Sequence, residues 1–125
     1  MGEYVSVLKA SSHPDKLRTT WKVRVTELEA TQLIFAYVDE DEIEEIRFTG
    51  KTGRGLCRYL GKNHCRKATL RLPAEKTGKL SLGIVLHELA HALVWADSGK
   101  NAHHGPAFVN VLDRLVASEE MAGAC

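Results

Sequence analysis

Cysteine is scarce in this 125-residue sequence, and no two cysteines form a C-x-x-C pair. Cys57, Cys65 and Cys125 leave one over from any pairing, which argues against a disulfide framework and against a separate zinc ribbon. A charge excess is missing too. The 17 basic and 16 acidic residues leave a net +1, whereas a domain that depends on phosphate contacts carries a clear basic surplus. No apolar run approaches the length that crosses a bilayer, and the opening MGEYVSVLKASSHPDK has no basic stretch leading into an apolar one. These absences give the expectation of a soluble, cytoplasmic protein with no membrane partner. Met1, Gly2 and Ser6 match the loose M-G-x-x-x-[ST] acylation pattern, but no polybasic segment supports an anchor. Repeats and low-complexity tracts are absent as well. The length suits one hydrophobic core and not two, so residues 1–125 are read as a single domain.

The charge that is present is segregated along the chain. Residues 27–45 hold eight acidic side chains and no Lys or Arg, and residues 47–71 hold eight basic ones and no Asp or Glu. Two solvated faces that neutralise each other account for this pattern. Arg54, Arg58, Lys62, Arg66, Lys67 and Arg71 also make a candidate strip for a polyanion or an acidic substrate, which keeps DNA as a candidate partner.

In TWKVRV, Trp21, Val23 and Val25 alternate with polar neighbours, which predicts a half-buried strand. Thr26 and Glu29 form a T-x-x-E capping box, and a helix is expected through ELEATQLIFAYV despite its β-branched and aromatic content. Residues 44–49 read as a strand and GKTGRG as a turn. LCRYLGKNHCRKATLRLP reads as a hairpin turning near Gly61 and Asn63, across which Cys57 and Cys65 could face each other. Its last strand alternates Ala68, Leu70 and Leu72 with Thr69 and Arg71 until Pro73 stops it.

From Ser81 the apolar period lengthens from two to about 3.6. Leu82, Val85, Leu86, Leu89, Leu93 and Val94 then cover so much of a helix that it must be buried, with Ser81 placed to cap it and Gly99 to end it. Gly105 and Pro106 open a last helix whose inward face is Phe108, Val109, Leu112, Leu115 and Val116. The class is α+β: a short antiparallel or mixed sheet on a buried helix, followed by a C-terminal helix.

That buried helix carries HELAH. His87 and His91, four residues apart, project from one face and can reach one ion. Glu88 lies about 100° further round, placed to touch a water held on the metal. Two imidazoles and a carboxylate within five residues of an apolar helix are costly unless a cation compensates, and zinc does so. A hydrolytic zinc site needs a third protein ligand and one open position. Asp97 has the spacing used where the chain turns sharply after the motif, but that turn needs glycine where Val94 stands. Glu119 and Glu120 have the distance of a glutamate ligand on a following helix, near a polar end. His103 and His104, just ahead of the glycine-proline helix start, are the better placed, and spacing alone leaves both open.

LHELAHAL followed by HGPAF resembles the SprT-like zinc metallopeptidases, the group that includes the Spartan DNA–protein crosslink proteases. The resemblance implies a small zincin-like domain with one zinc per chain, held by His87, His91 and His104, and Glu88 as the catalytic residue. His103 is then a neighbour of the site. GLCRYLGKNHCRKATLRLP looks like the family's hairpin over the active-site helix, and the likeness is strongest over residues 44–116. The zinc ribbon or DNA-binding tail of many members has no counterpart here.

The function expected on these grounds is a zinc metalloendopeptidase acting on protein or peptide substrates, DNA-bound proteins among them. Tyr59 and His103 are candidates for a second hydrogen-bond donor to the oxyanion, and His64 and Arg71 are of suitable type. The strand KATLRL is the candidate edge for an extended substrate. Two rivals are a regulatory zinc peptidase that cleaves one dedicated partner, such as a repressor, and a non-catalytic zinc-stabilised module that binds nucleic acid through the basic strip.

Overall fold

A computed structural model describes residues 14–49, 56–60, 67–75, 78–98 and 105–123. Over these residues the chain is α+β, with four helices and two small sheets. Helix α1 (Pro14–Lys22) begins on a proline, whose missing N–H costs nothing in a first turn, and Asp15 complements the helix dipole there. Leu17 is buried on its inner side, and the Thr20 hydroxyl donates back to the Leu17 carbonyl at 2.8 Å. This corrects the strand read over TWKVRV. Thr20, Trp21 and Lys22 end a helix, and only β1 (Arg24–Thr26) is extended. Three alternating apolar residues fit a helix end running into a strand as well as they fit a strand, and the Pro14–Asp15 start decides between them.

Helix α2 (Glu27–Tyr37) starts at the expected capping box. The Thr26 hydroxyl accepts from the Glu29 N–H at 3.1 Å, and the Thr26 N–H donates to the Glu29 carboxylate at 2.9 Å. Hydrogen bonding to the carboxylate, first from the Thr26 backbone N–H and then from the Thr26 side chain, holds the Glu29 carboxyl below its ordinary pKa. A lowered carboxylate pKa stabilises the fold above its unfolded value, and that contribution is lost as pH falls through the lowered one. Loss of the N-cap hydroxyl in Thr26→Ala should cost about 1 kcal/mol of stability. Denaturant melts should show most of that cost persisting in acid, because the lost bond from the Glu29 N–H to the Thr26 hydroxyl does not depend on the protonation of the carboxylate.

A 3-10 turn (Glu40–Glu42) leads into β2 (Ile43–Thr49), which joins β3 (Leu56–Leu60) and β4 (Lys67–Pro73) in a mixed sheet of order β2-β4-β3. The predicted hairpin pairing of β3 with β4 is present, antiparallel, and places Cys57 opposite Leu70. Its turn, the GKTGRG segment, Cys65, Gly99 and Cys125 lie outside the described residues. Ala68, Leu70 and Leu72 are buried as the alternation requires, and Arg71 between them is exposed. Strand β2 runs parallel to β4, with Ile46 opposite Leu70 and Phe48 opposite Leu72. Strand β4 is therefore paired on both sides, which overturns its reading as a free edge: its ladder groups on one side are taken by β2 and on the other by β3. The outer strands of this sheet are β2 and β3.

After β4, Gly78 takes a left-handed backbone (φ 81°) in the turn closed by its N–H to the Glu75 carbonyl, a conformation suited to glycine. The turn delivers β5 (Lys79–Ser81), an unanticipated strand that pairs antiparallel with β1. Helix α3 (Leu82–Ser98) follows at once, with Ser81 at its head as expected. Helix α4 (Pro106–Gly123) opens on the predicted proline and buries Phe108, Val109, Leu112, Leu115 and Val116. Val85, Leu86, Leu89 and Ala90 of α3 join one apolar cluster with Leu17, Ile34, Leu70, Leu72 and the α4 residues, so α3 is packed by elements from the whole chain. Among the described residues no helix is long and apolar enough to cross a membrane.

Candidate metal centre

His87, Glu88 and His91 all sit on α3, where core packing fixes the helix against the sheet and against α4. One ligand atom from each of the three lies within 4.8 Å of the others, close enough for a single ion to span them. Glu88 is only 5% exposed, the imidazoles are half-buried, and the Nδ1 atom of His87 is itself buried. Holding a carboxylate and imidazole nitrogens together among apolar side chains costs free energy that a divalent cation offsets. Two imidazoles that can share one ion, with a carboxylate beside them, suit a divalent cation such as zinc, so the residues present fit a metal.

Aromatic rings confine the two histidines. His87 and His91 meet edge to face with centroids 5.0 Å apart. Phe108 stacks on His91 at 4.3 Å and 22°, and stands edge-on to His87 at 4.9 Å. Phe108 is the third residue of α4, so this contact sets the head of α4 against the histidine face of α3. Trp21, from the end of α1, meets His87 edge to face at 6.2 Å and 87°. Sequence reasoning missed both roles. Phe108 was read only as core, although it belongs to the HGPAF segment; Trp21 lies 66 residues before His87 (87 − 21) and carries no local signal.

The other expected site residues divide into three groups. His103 and His104 lie outside the described residues, as do Arg54, Lys62, His64 and Arg66. Arg58 and Tyr59 are in β3, at the register positions of Thr69 and Ala68, and Lys67 begins β4. Arg71 leaves β4 on the face opposite Leu70 and Leu72, beside Arg47 of β2, and so is not brought to His87. Arg47 itself is paired with Glu45 at 3.0 Å. Helix α3 runs on without a break through Val94 to Ser98, so Asp97 is carried round the helix away from His91, in line with its dismissal as a ligand. Glu119 and Glu120 fall in the last turns of α4.

No curated protein and no solved structure matches the sequence significantly. The model of the SprT-like family does match it, over residues 30–122, well over half of the chain. That span runs from the first turn of α2 to the end of α4 and takes in the mixed sheet, the HELAH helix and the Phe108 stack that joins α4 to it. The chain belongs to the SprT-like family.

Proposed function

We propose that the chain is a zinc-dependent metallopeptidase of zincin-like design, a single domain that hydrolyses peptide bonds in protein substrates, including proteins bound to DNA. The observation that carries this reading is the convergence of His87, Glu88 and His91 within 4.8 Å on a buried helix of a SprT-like chain. His87, His91 and His104 would hold the ion. Support for His104 comes from the Phe108 stack on His91, since the chain enters α4 immediately after His104 and Gly105.

When bound, zinc supplies Lewis acidity, lowering the pKa of a water and polarising the carbonyl under attack. Glu88 accepts the proton of the attacking water and delivers it to the departing amine, so that the amine leaves neutral. Burial of Glu88 on a helix packed into the core keeps its carboxylate in one place relative to the two imidazoles. Tyr59 and His103 are the candidate donors to the oxyanion. Because β4 is enclosed, an extended substrate would add to the outer strand β3 and take its main-chain hydrogen bonds there.

Cleavage of casein and of a DNA-bound test protein, each with no DNA, single-stranded DNA or duplex, tests this reading. Cleavage should require zinc, stop on chelation and return on adding zinc back. The DNA-bound protein should be cut in at least one DNA arm. Zinc-loaded protein that cuts neither substrate would remove this reading in favour of a peptidase with one dedicated partner or of a non-catalytic zinc module.

A further inference from the structure

Gly83, His87 and His91 stand four residues apart on α3 and so share one face of the helix. At Gly83 that face is notched. A Cβ placed there would lie 2.6 Å from the Cα of Trp21, 2.9 Å from its backbone N and 2.8 Å from its ring Cε3. Two of these are main-chain atoms, so a side-chain rotation could not relieve the clash; only glycine admits α1 this closely. Hydrogen bonds fix the seat. The Trp21 carbonyl accepts from the Ser81 hydroxyl at the head of α3 and from the Arg24 guanidinium at 3.2 Å. The Leu82 N–H donates to the Val23 carbonyl at 2.9 Å. One helical turn beyond the notch, the indole meets His87 edge to face. All of α1 precedes residue 30, where the family match begins.

We propose that Trp21 is a positioning residue for the metal centre, seated by the Gly83 notch and holding the His87 imidazole together with Phe108. This rests on the metallopeptidase reading of the same site. A ring confined on two sides has fewer rotamers to lose when it takes up an ion, so the wall preorganises His87 for coordination. The notch makes the device specific. A larger residue at position 83 would push α1 off α3 and withdraw the indole without touching a ligand.

The test uses the full chain. In a Trp95→Phe background Trp21 is the one indole, and its emission reports directly on the site. Cobalt added to this chain should quench that emission with the stoichiometry of metal uptake. Trp21→Ala and Gly83→Ala should each weaken zinc binding about tenfold, measured by dye competition, and should alter the visible absorption of the cobalt-loaded protein. Trp21→Phe, which keeps a ring in the notch, should restore affinity to within about twofold. If Trp21→Ala does not fold, Gly83→Ala and Trp21→Phe decide the question by the same two readouts. Native zinc affinity and an unchanged cobalt spectrum in folded Trp21→Ala or Gly83→Ala would overturn the role of Trp21 and leave the metal site standing. A parent chain that takes up no metal would overturn the metallopeptidase reading, and this inference with it.

Discussion

Glu88→Gln should lower peptide hydrolysis by about a hundred- to ten-thousand-fold, the range that general acid–base groups contribute, and leave about one zinc per chain. Glutamine keeps the length and volume of the side chain, and at a position only 5% exposed that matters: a smaller residue would open a cavity and confuse loss of chemistry with loss of packing. A neutral amide at a buried site also carries less desolvation cost than a carboxylate, so the melting temperature should not fall. What the amide lacks is basicity. It cannot take the proton of the attacking water or return it to the amine. The expected signature is a fall in kcat with KM little changed, since the substitution leaves β3, the strand proposed to take the substrate, untouched. Activity within a few-fold of the parent would remove Glu88 from the mechanism while leaving the metal site in place.

Loss of a ligand acts on binding first. His87→Ala and His91→Ala should each reduce zinc affinity by more than the ten- to hundredfold typical of residues that merely support a ligand, and activity should vanish with the metal. The two are not equivalent in packing. His91 is the stacking partner of Phe108, so its removal also loosens the head of α4 against α3, and His91→Ala should be the less stable variant. His104→Ala should behave as a ligand loss, and His103→Ala should retain zinc. The reverse outcome would exchange the roles of the two histidines and would shift the third ligand one residue further from the start of α4.

The parts of this fold that were legible in the sequence are those written in local periodicity. The capping box at Thr26 and Glu29, the alternation of Ala68, Leu70 and Leu72, and the apolar circumference of α3 each depend on neighbours a few residues apart, and each is present. Within the site, His87, Glu88 and His91 could be placed together because helical geometry alone brings them to within 4.8 Å. What escaped depends on contacts between distant residues. Whether Lys67–Pro73 is an edge or a centre is decided by the parallel approach of β2, and no local signal records it. The β1–β5 pair joins residues 24–26 to 79–81. The helix at Pro14 was readable in principle, but the alternation of Trp21, Val23 and Val25 masked it. The contact of Trp21 with His87 needed that helix, the β1–β5 pair and the glycine at position 83 all at once.

Zinc analysis of the chain purified without chelators, joined to X-ray absorption at the zinc edge, bears most directly on the central claim. The expected result is about one zinc per chain, with three imidazole nitrogens and one oxygen from solvent around it. Protein that is metal-free as purified and takes up no zinc on addition would contradict it, and so would a closed site of four protein ligands.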